Sequence, residues 1–214
     1  MDGVILLHGI ARRSASLRQM EHALGKAGYR TLNLDYPSRD KGLREITAHL
    51  REPIAAFGES LEGRLHIVTH SMGGLVARAC IASHRPERLG HVVMLAPPNE
   101  GSEIADLLRG NALYRAFFGP AGGELTTMQP AELRDLLGTI DYPLGVIAGD
   151  RTLYPVESLL ILPRPNDGRV SVERTRIAGM SDHITLHASH PLIMRHQAAI
   201  EQTLHFLRHG HFTR

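Results

Sequence analysis

The residues with the clearest chemical potential are Thr69-His70-Ser71-Met72-Gly73. The apolar run Leu65-His66-Ile67-Val68 precedes them and reads as a buried strand; Gly74-Leu75-Val76-Ala77-Arg78-Ala79-Cys80 follows and reads as a helix. A serine on a sharp turn between strand and helix has its hydroxyl lifted clear of the backbone, where it can act as a nucleophile. That chemistry needs three further parts: a base within hydrogen-bond reach, an acid that orients the base, and donors for an oxyanion. His8-Gly9-Ile10 follows the first apolar run. A turn there would aim the Ile10 N–H at a carbonyl attacked by Ser71, with the Met72 N–H as second donor. His183, His187 and His190 are candidate bases, and Asp150 and Asp167 candidate acids. His190, just past the last apolar run and ahead of Pro191, is placed to swing its imidazole towards Ser71. His183 and His187 read as polar residues at strand ends rather than zinc ligands, because their spacing dictates no converging geometry. His70 reads as a side chain packed beside the turn, and Cys80 as a small buried filler.

The elements that must hold these residues alternate regularly. The spacing predicts strands over 4–7, 31–36, 65–69, 91–95, 143–148 and 184–186. Helices are expected over 16–27, 43–57, 72–84 and 192–207, the second interrupted or kinked near Pro53. Strands alternating with helices of this length imply βαβ units and a mostly parallel sheet covered on both faces. Two segments break the rhythm, 101–138 and 150–179, and long irregular insertions of this kind tend to form lids or to carry site residues. In the first, Leu107, Leu108, Leu113, Phe117 and Phe118 fit either a flap forming an acyl-binding wall or an amphipathic helix covering the sheet.

A chain of 214 residues suits one domain, 1–214. The formal net charge is +2 with basic residues spread along the chain, which argues against nucleic acid or an anionic membrane as partner. Cys80 is the only cysteine, so an intrachain disulfide and a C-x-x-C site are excluded. No stretch reaches the roughly 18 apolar residues of a membrane span. Met1-Asp2-Gly3 lacks the flank of a signal peptide, so the expected location is cytoplasmic. Oligomeric state leaves no sign in the sequence.

Taken together, Leu7-His8-Gly9-Ile10, Thr69-His70-Ser71-Met72-Gly73-Gly74, Ala96-Pro97-Pro98-Asn99-Glu100-Gly101-Ser102-Glu103-Ile104-Ala105-Asp106 and Asn166-Asp167-Gly168-Arg169-Val170 resemble an α/β-hydrolase of the bacterial lipase/esterase type, over nearly the full chain. The resemblance implies a three-layer α/β-hydrolase fold with a sheet of about six strands. It implies a minimal form that lacks the first two strands of larger relatives. It also implies a serine carboxyl-ester hydrolase that forms an acyl-enzyme, acts on a small ester or lipid and needs no cofactor. Asp167 matches the acid of an N-D-G-x-V segment with the shorter connection to His190, and Ser189-His190-Pro191 matches the base; Asp150 stays as the alternative acid. Two departures stand out. Thr69 replaces the first glycine of G-x-S-x-G, implying looser local packing. Pro191-Leu192-Ile193-Met194 follows the histidine where calcium-binding relatives carry an aspartate, so no metal is expected. The same triad would serve a thioesterase or acyltransferase, and a catalytically silent binding module is the alternative of another class.

Overall fold

The computed structural model describes residues 1–108, 110–153 and 162–214, with the side chains of 113–115 outside the described set. Six strands form one sheet: β1 (Gly3–Leu7), β2 (Arg30–Leu34), β3 (Leu65–His70), β4 (Leu89–Leu95), β5 (Leu144–Gly149) and β6 (Asp182–Leu186). Their order is β2-β1-β3-β4-β5-β6, and every pairing is parallel. The central strands β1, β3 and β5 are buried at every position, as a sheet covered on both faces requires, whereas the edge strands β2 and β6 are partly open.

Alternation along β1 divides the core. Ile5 and Leu7 face α2 (Leu43–Glu59) and α3 (Gly73–His84), joining Ile46, Leu50, Ile54, Leu75 and Val76. Val4 and Leu6 face α1 (Arg18–Lys26) and the final helix, joining Met20, Leu24, Ile200 and Phe206. Between β4 and β5 lie α4 (Glu103–Leu108), α5 (Ala112–Gly123) and α6 (Ala131–Leu137); α7 (Gln197–His209) closes the chain.

Helix α2 runs unbroken through Pro53, contrary to the expected interruption. The carbonyl that loses its donor belongs to His49, which is exposed and can be hydrated. In the 101–138 segment, α6 buries Leu133 and Leu137 against the α2–α3 core and is a covering helix. Leu107 and Phe117 are instead 60% and 51% exposed, and α5 breaks at Gly119. The side chain of Leu113 and the part of 150–179 spanning 154–161 lie outside the described residues.

The chain starts at β1, moves outward to β2, then crosses back past β1 to β3. The loops leaving β1 and β3 therefore part to opposite faces, and a crevice opens at their carboxyl ends. Close approach of α3 to β1 defines that crevice: a Cβ on Gly73 would stand 2.4 Å from the Leu7 carbonyl oxygen and 2.7 Å from that of His8.

Two predictions follow from this packing. Gly73→Ala should cost at least about 1–3 kcal/mol, since the obstacle is backbone, whereas Gly25→Ala, in open space on α1, should gain about 0.4–1 kcal/mol; urea unfolding checks both. The second concerns His183, whose Nε2 lies 2.9 Å from the Thr175 hydroxyl. Burial, helped by the charge of Arg176, pushes its pKa down to about 4. Between about pH 4 and 6.5 the unfolded chain binds a proton that the folded chain refuses, so stability is full above that window and falls as pH drops through it. Urea midpoints measured from pH 7 to 4.5 should decline, and His183→Gln should make the decline shallower.

Candidate active site

At the end of β3 the backbone turns sharply enough to put Ser71 at φ 56°. Its N–H is held by the Leu95 carbonyl at 2.9 Å and its carbonyl accepts from Gly74 at 2.9 Å, so the strained turn is fixed from both sides. Thr69 lies near the end of β3, two residues before the serine. It is fully buried, and among the described residues its hydroxyl meets no hydrogen-bond partner; the close approach at Gly74 is to Pro97 and Met94, where a Cβ would stand 3.0 and 3.1 Å away.

His190 arrives from the loop after β6. Its Nε2 lies 3.0 Å from Ser71 Oγ and its Nδ1 2.7 Å from Asp167 Oδ2. The second oxygen of Asp167 accepts from the N–H groups of Arg169 at 2.9 Å and Val170 at 2.8 Å. With both carboxylate oxygens accepting, the proton of the His190–Asp167 bond lies on His190 Nδ1, which frees Nε2 to accept from the serine. Asp167 is 1% exposed. Its loop packs on Gly149 at the end of β5, where a Cβ would stand 3.0 Å from the Asp167 Cβ. Ser102 Oγ donating to the Arg169 carbonyl, Asn99 donating to that of Thr175 and the Arg174–Glu103 ion pair stitch the same loop to the segment after β4.

The other candidates point elsewhere. Asp150 pairs with His187 Nδ1 at 2.9 Å on the surface, and His183 with Thr175. The three histidines thus diverge to different partners. Among the described residues no group of three or more histidine, cysteine or acidic side chains is arranged to hold a metal ion.

The turn after β1 has a support that the sequence did not reveal. Tyr36, just beyond β2, stacks on His8 at 4.1 Å between ring centroids and donates its hydroxyl to the His8 carbonyl. The Tyr36 N–H reaches His8 Nε2 at 3.4 Å, which leaves the proton on Nδ1 for the Gly9 carbonyl at 2.8 Å. Burial lowers the His8 pKa and keeps the ring neutral despite Asp35 nearby. The Gly9 carbonyl also accepts from Arg12 N–H at 3.2 Å. In a trans peptide, a carbonyl fixed on one side aims the following N–H, that of Ile10, to the other. A Cβ on Gly9 would stand 3.0 Å from the Ser71 Cβ, so this turn lies directly against the serine. Met72, also buried, sits at the N-cap of α3, where the helix end is electropositive. Among the described residues the N–H groups of Ile10 and Met72 meet no protein acceptor. The local signal for the Tyr36 support was only Asp35-Tyr36-Pro37 at a strand end.

A cleft of about 530 Å³ adjoins the turn, lined by Ala11, Arg12, Arg13, Tyr36 and Arg39. A more enclosed one of about 470 Å³ lies between α2 and α3, beside Leu65 and His84, at the opposite end of β3 from Ser71; it belongs to none of this chemistry. No described helix is long and apolar enough to cross a membrane.

Comparison with known proteins agrees with this architecture. Residues 4–213 match the alpha/beta hydrolase family. Among solved structures, the mature form of the lipase BlEst2 from Bacillus licheniformis superposes with a TM-score of 0.74 at 21% identity, covering 96% of this chain and 91% of that one. A structure from the metagenome-derived lipolytic enzymes LipS and LipT gives 0.70 at 18% identity, covering 97% and 93%. The pyrethroid hydrolase PytH gives 0.65 at 16%, covering 98% of both chains. No curated protein sequence matches the chain. At these identities the structures speak for the fold, while the match over almost the whole sequence establishes that the chain belongs to the alpha/beta hydrolase family.

Proposed function

We propose that the protein is a serine carboxyl-ester hydrolase with Ser71 as nucleophile, His190 as base and Asp167 as the acid that orients it. The observation that carries this reading is the unbroken hydrogen-bond chain Ser71–His190–Asp167, at 3.0 and 2.7 Å. In the first half-reaction Ser71 Oγ bonds to the ester carbonyl carbon while its proton passes to His190 Nε2. The negative charge on the carbonyl oxygen is met by the N–H groups of Ile10 and Met72, each such donor being worth roughly 3–4 kcal/mol to the transition state. His190 then returns the proton to the leaving alkoxide, the ester C–O bond breaks and an alcohol departs. In the second half-reaction water gives a proton to His190 as it attacks the acyl carbon; His190 passes that proton to Ser71 Oγ as the acyl–Oγ bond breaks, and a carboxylic acid leaves. Asp167 keeps its charge throughout and stabilises the imidazolium.

The substrate in this reading is a small ester or a lipid. The whole chain acts as one domain, with the exposed part of 101–138 around Leu107 and Phe117 as a flap over the site. A cytoplasmic location belongs to the same proposal, since the only cysteine is buried and the fold needs no oxidising compartment; cell fractionation checks it.

Ser71→Ala should cut p-nitrophenyl ester turnover by at least ~10³-fold and abolish labelling by a fluorophosphonate probe; unchanged turnover would defeat the proposal. Acyl-CoA assayed beside simple esters separates ester from thioester substrates. Asp167→Asn should lower kcat by about 10³- to 10⁴-fold, whereas Asp150→Asn should stay within about two-fold. A greater loss at Asp150 would move the acid to that residue.

A further inference from the structure

We infer that His70 is a positioning residue that holds His190 in register with Ser71 by donating its Nε2–H to the His190 backbone carbonyl. This rests on the proposed role of His190 as base.

His70 directly precedes Ser71 and is 1% exposed. On β3 it lies on the face of Val68, turned towards the side where the loop after β6 arrives. Its Nε2 is 2.9 Å from the His190 oxygen. The acceptor is a carbonyl, so the proton must be on Nε2, and Nδ1 is left as a bare lone pair. Among the described residues, that buried Nδ1 has no hydrogen-bond partner. A Cβ on Gly9 would stand 3.1 Å from it, so the turn after β1 covers it. An apolar residue would fill this space without a stranded acceptor. What histidine supplies there is the single donor.

The donor matters because of how His190 is otherwise tied. Its backbone N–H goes to the Asp167 carbonyl at 3.0 Å and its Nδ1 to the Asp167 carboxylate. Both tethers lead to one loop. Among the described residues, apart from the 3.0 Å contact between Nε2 and Ser71 Oγ, the His70 bond is the hydrogen bond that joins His190 to the strand that carries the nucleophile. That contact is lost during the reaction: in the acyl-enzyme Ser71 Oγ has no proton to share, yet His190 must stay in place to activate water. The His70 bond persists through that stage. Burial first, then the neighbouring His190 and Arg12, keep His70 neutral. It can therefore lie 5.0 Å, centroid to centroid, from an imidazole that becomes cationic without adding a second charge.

The test compares His70→Leu, which removes the donor, with His70→Gln, whose side-chain amide reaches about as far as Nε2. Active sites are counted with a fluorophosphonate, and p-nitrophenyl acetate bursts separate acylation from deacylation. Per titrated site, His70→Leu should lower kcat by about 10- to 100-fold with KM within about two-fold, the slowing concentrated in deacylation. His70→Gln should recover most of that loss. Should His70→Leu fail to fold, His70→Asn, whose amide is too short to reach, replaces it with the same expectation. Equal losses in the leucine (or asparagine) and glutamine variants, or an unchanged deacylation rate per site without the donor, would overturn the inference. A wild-type protein that the probe does not label would overturn the catalytic reading and this inference with it.

Discussion

Helix α3 leaves strand β3 so close to β1 that position 73 has no room for a Cβ, and the arrangement of the site depends on that approach. The turn it imposes places Ser71 in the left-handed region and points the start of α3 into the crevice beside the loop after β1. The same proximity lets Gly9 lie against the serine and cover His70. A side chain at 73 would push α3 outward and move the Met72 N–H and Ser71 Oγ together. The proposed nucleophile, one proposed oxyanion donor and the packing of the other are thus set by one backbone contact.

The groups around that contact are mostly held by main-chain atoms. Ser71 is pinned through its own N–H and carbonyl, His190 through both ends of its peptide, and the turn at Gly9 through a carbonyl. Side chains that serve as supports, Tyr36 and His8, lie flat on one another and are buried. Each conformation is thereby determined more than once, which is how a strained serine can persist without relaxing.

How much of this could be read from the sequence follows from the range of each interaction. Ser71 and the His8-Gly9 turn were legible because strand, turn and helix are contiguous and their residue types fit the local geometry. The parallel six-stranded sheet was legible for the same reason, from alternation of short apolar runs with helical spacing. Asp167 was a different case: composition left it level with Asp150, and only a resembling segment singled it out. Asp150 does sit at a strand end as expected, but β6 ends beside it and His187 takes its carboxylate, a pairing that no local pattern announces. Tyr36 and the His70 bond were invisible since each joins segments far apart in the chain. Pro53 misled because the cost of a proline within a helix depends on whether water can reach the freed carbonyl, a property of the folded surface.

The surroundings of Asp167 limit how this protein can vary. Asp167 receives its two supporting hydrogen bonds from the peptide groups of residues 169 and 170, not from side chains. Replacement of either side chain leaves those donors in the backbone, and among the ordinary amino acids only proline deletes one. Drift at these positions is therefore limited by the packing of Val170 and by the shape of the Gly168 turn, while the two hydrogen bonds to Asp167 are insulated from it. Of the two, half-buried Arg169 has more room than buried Val170 to change its side chain, and both hydrogen bonds to Asp167 survive that change.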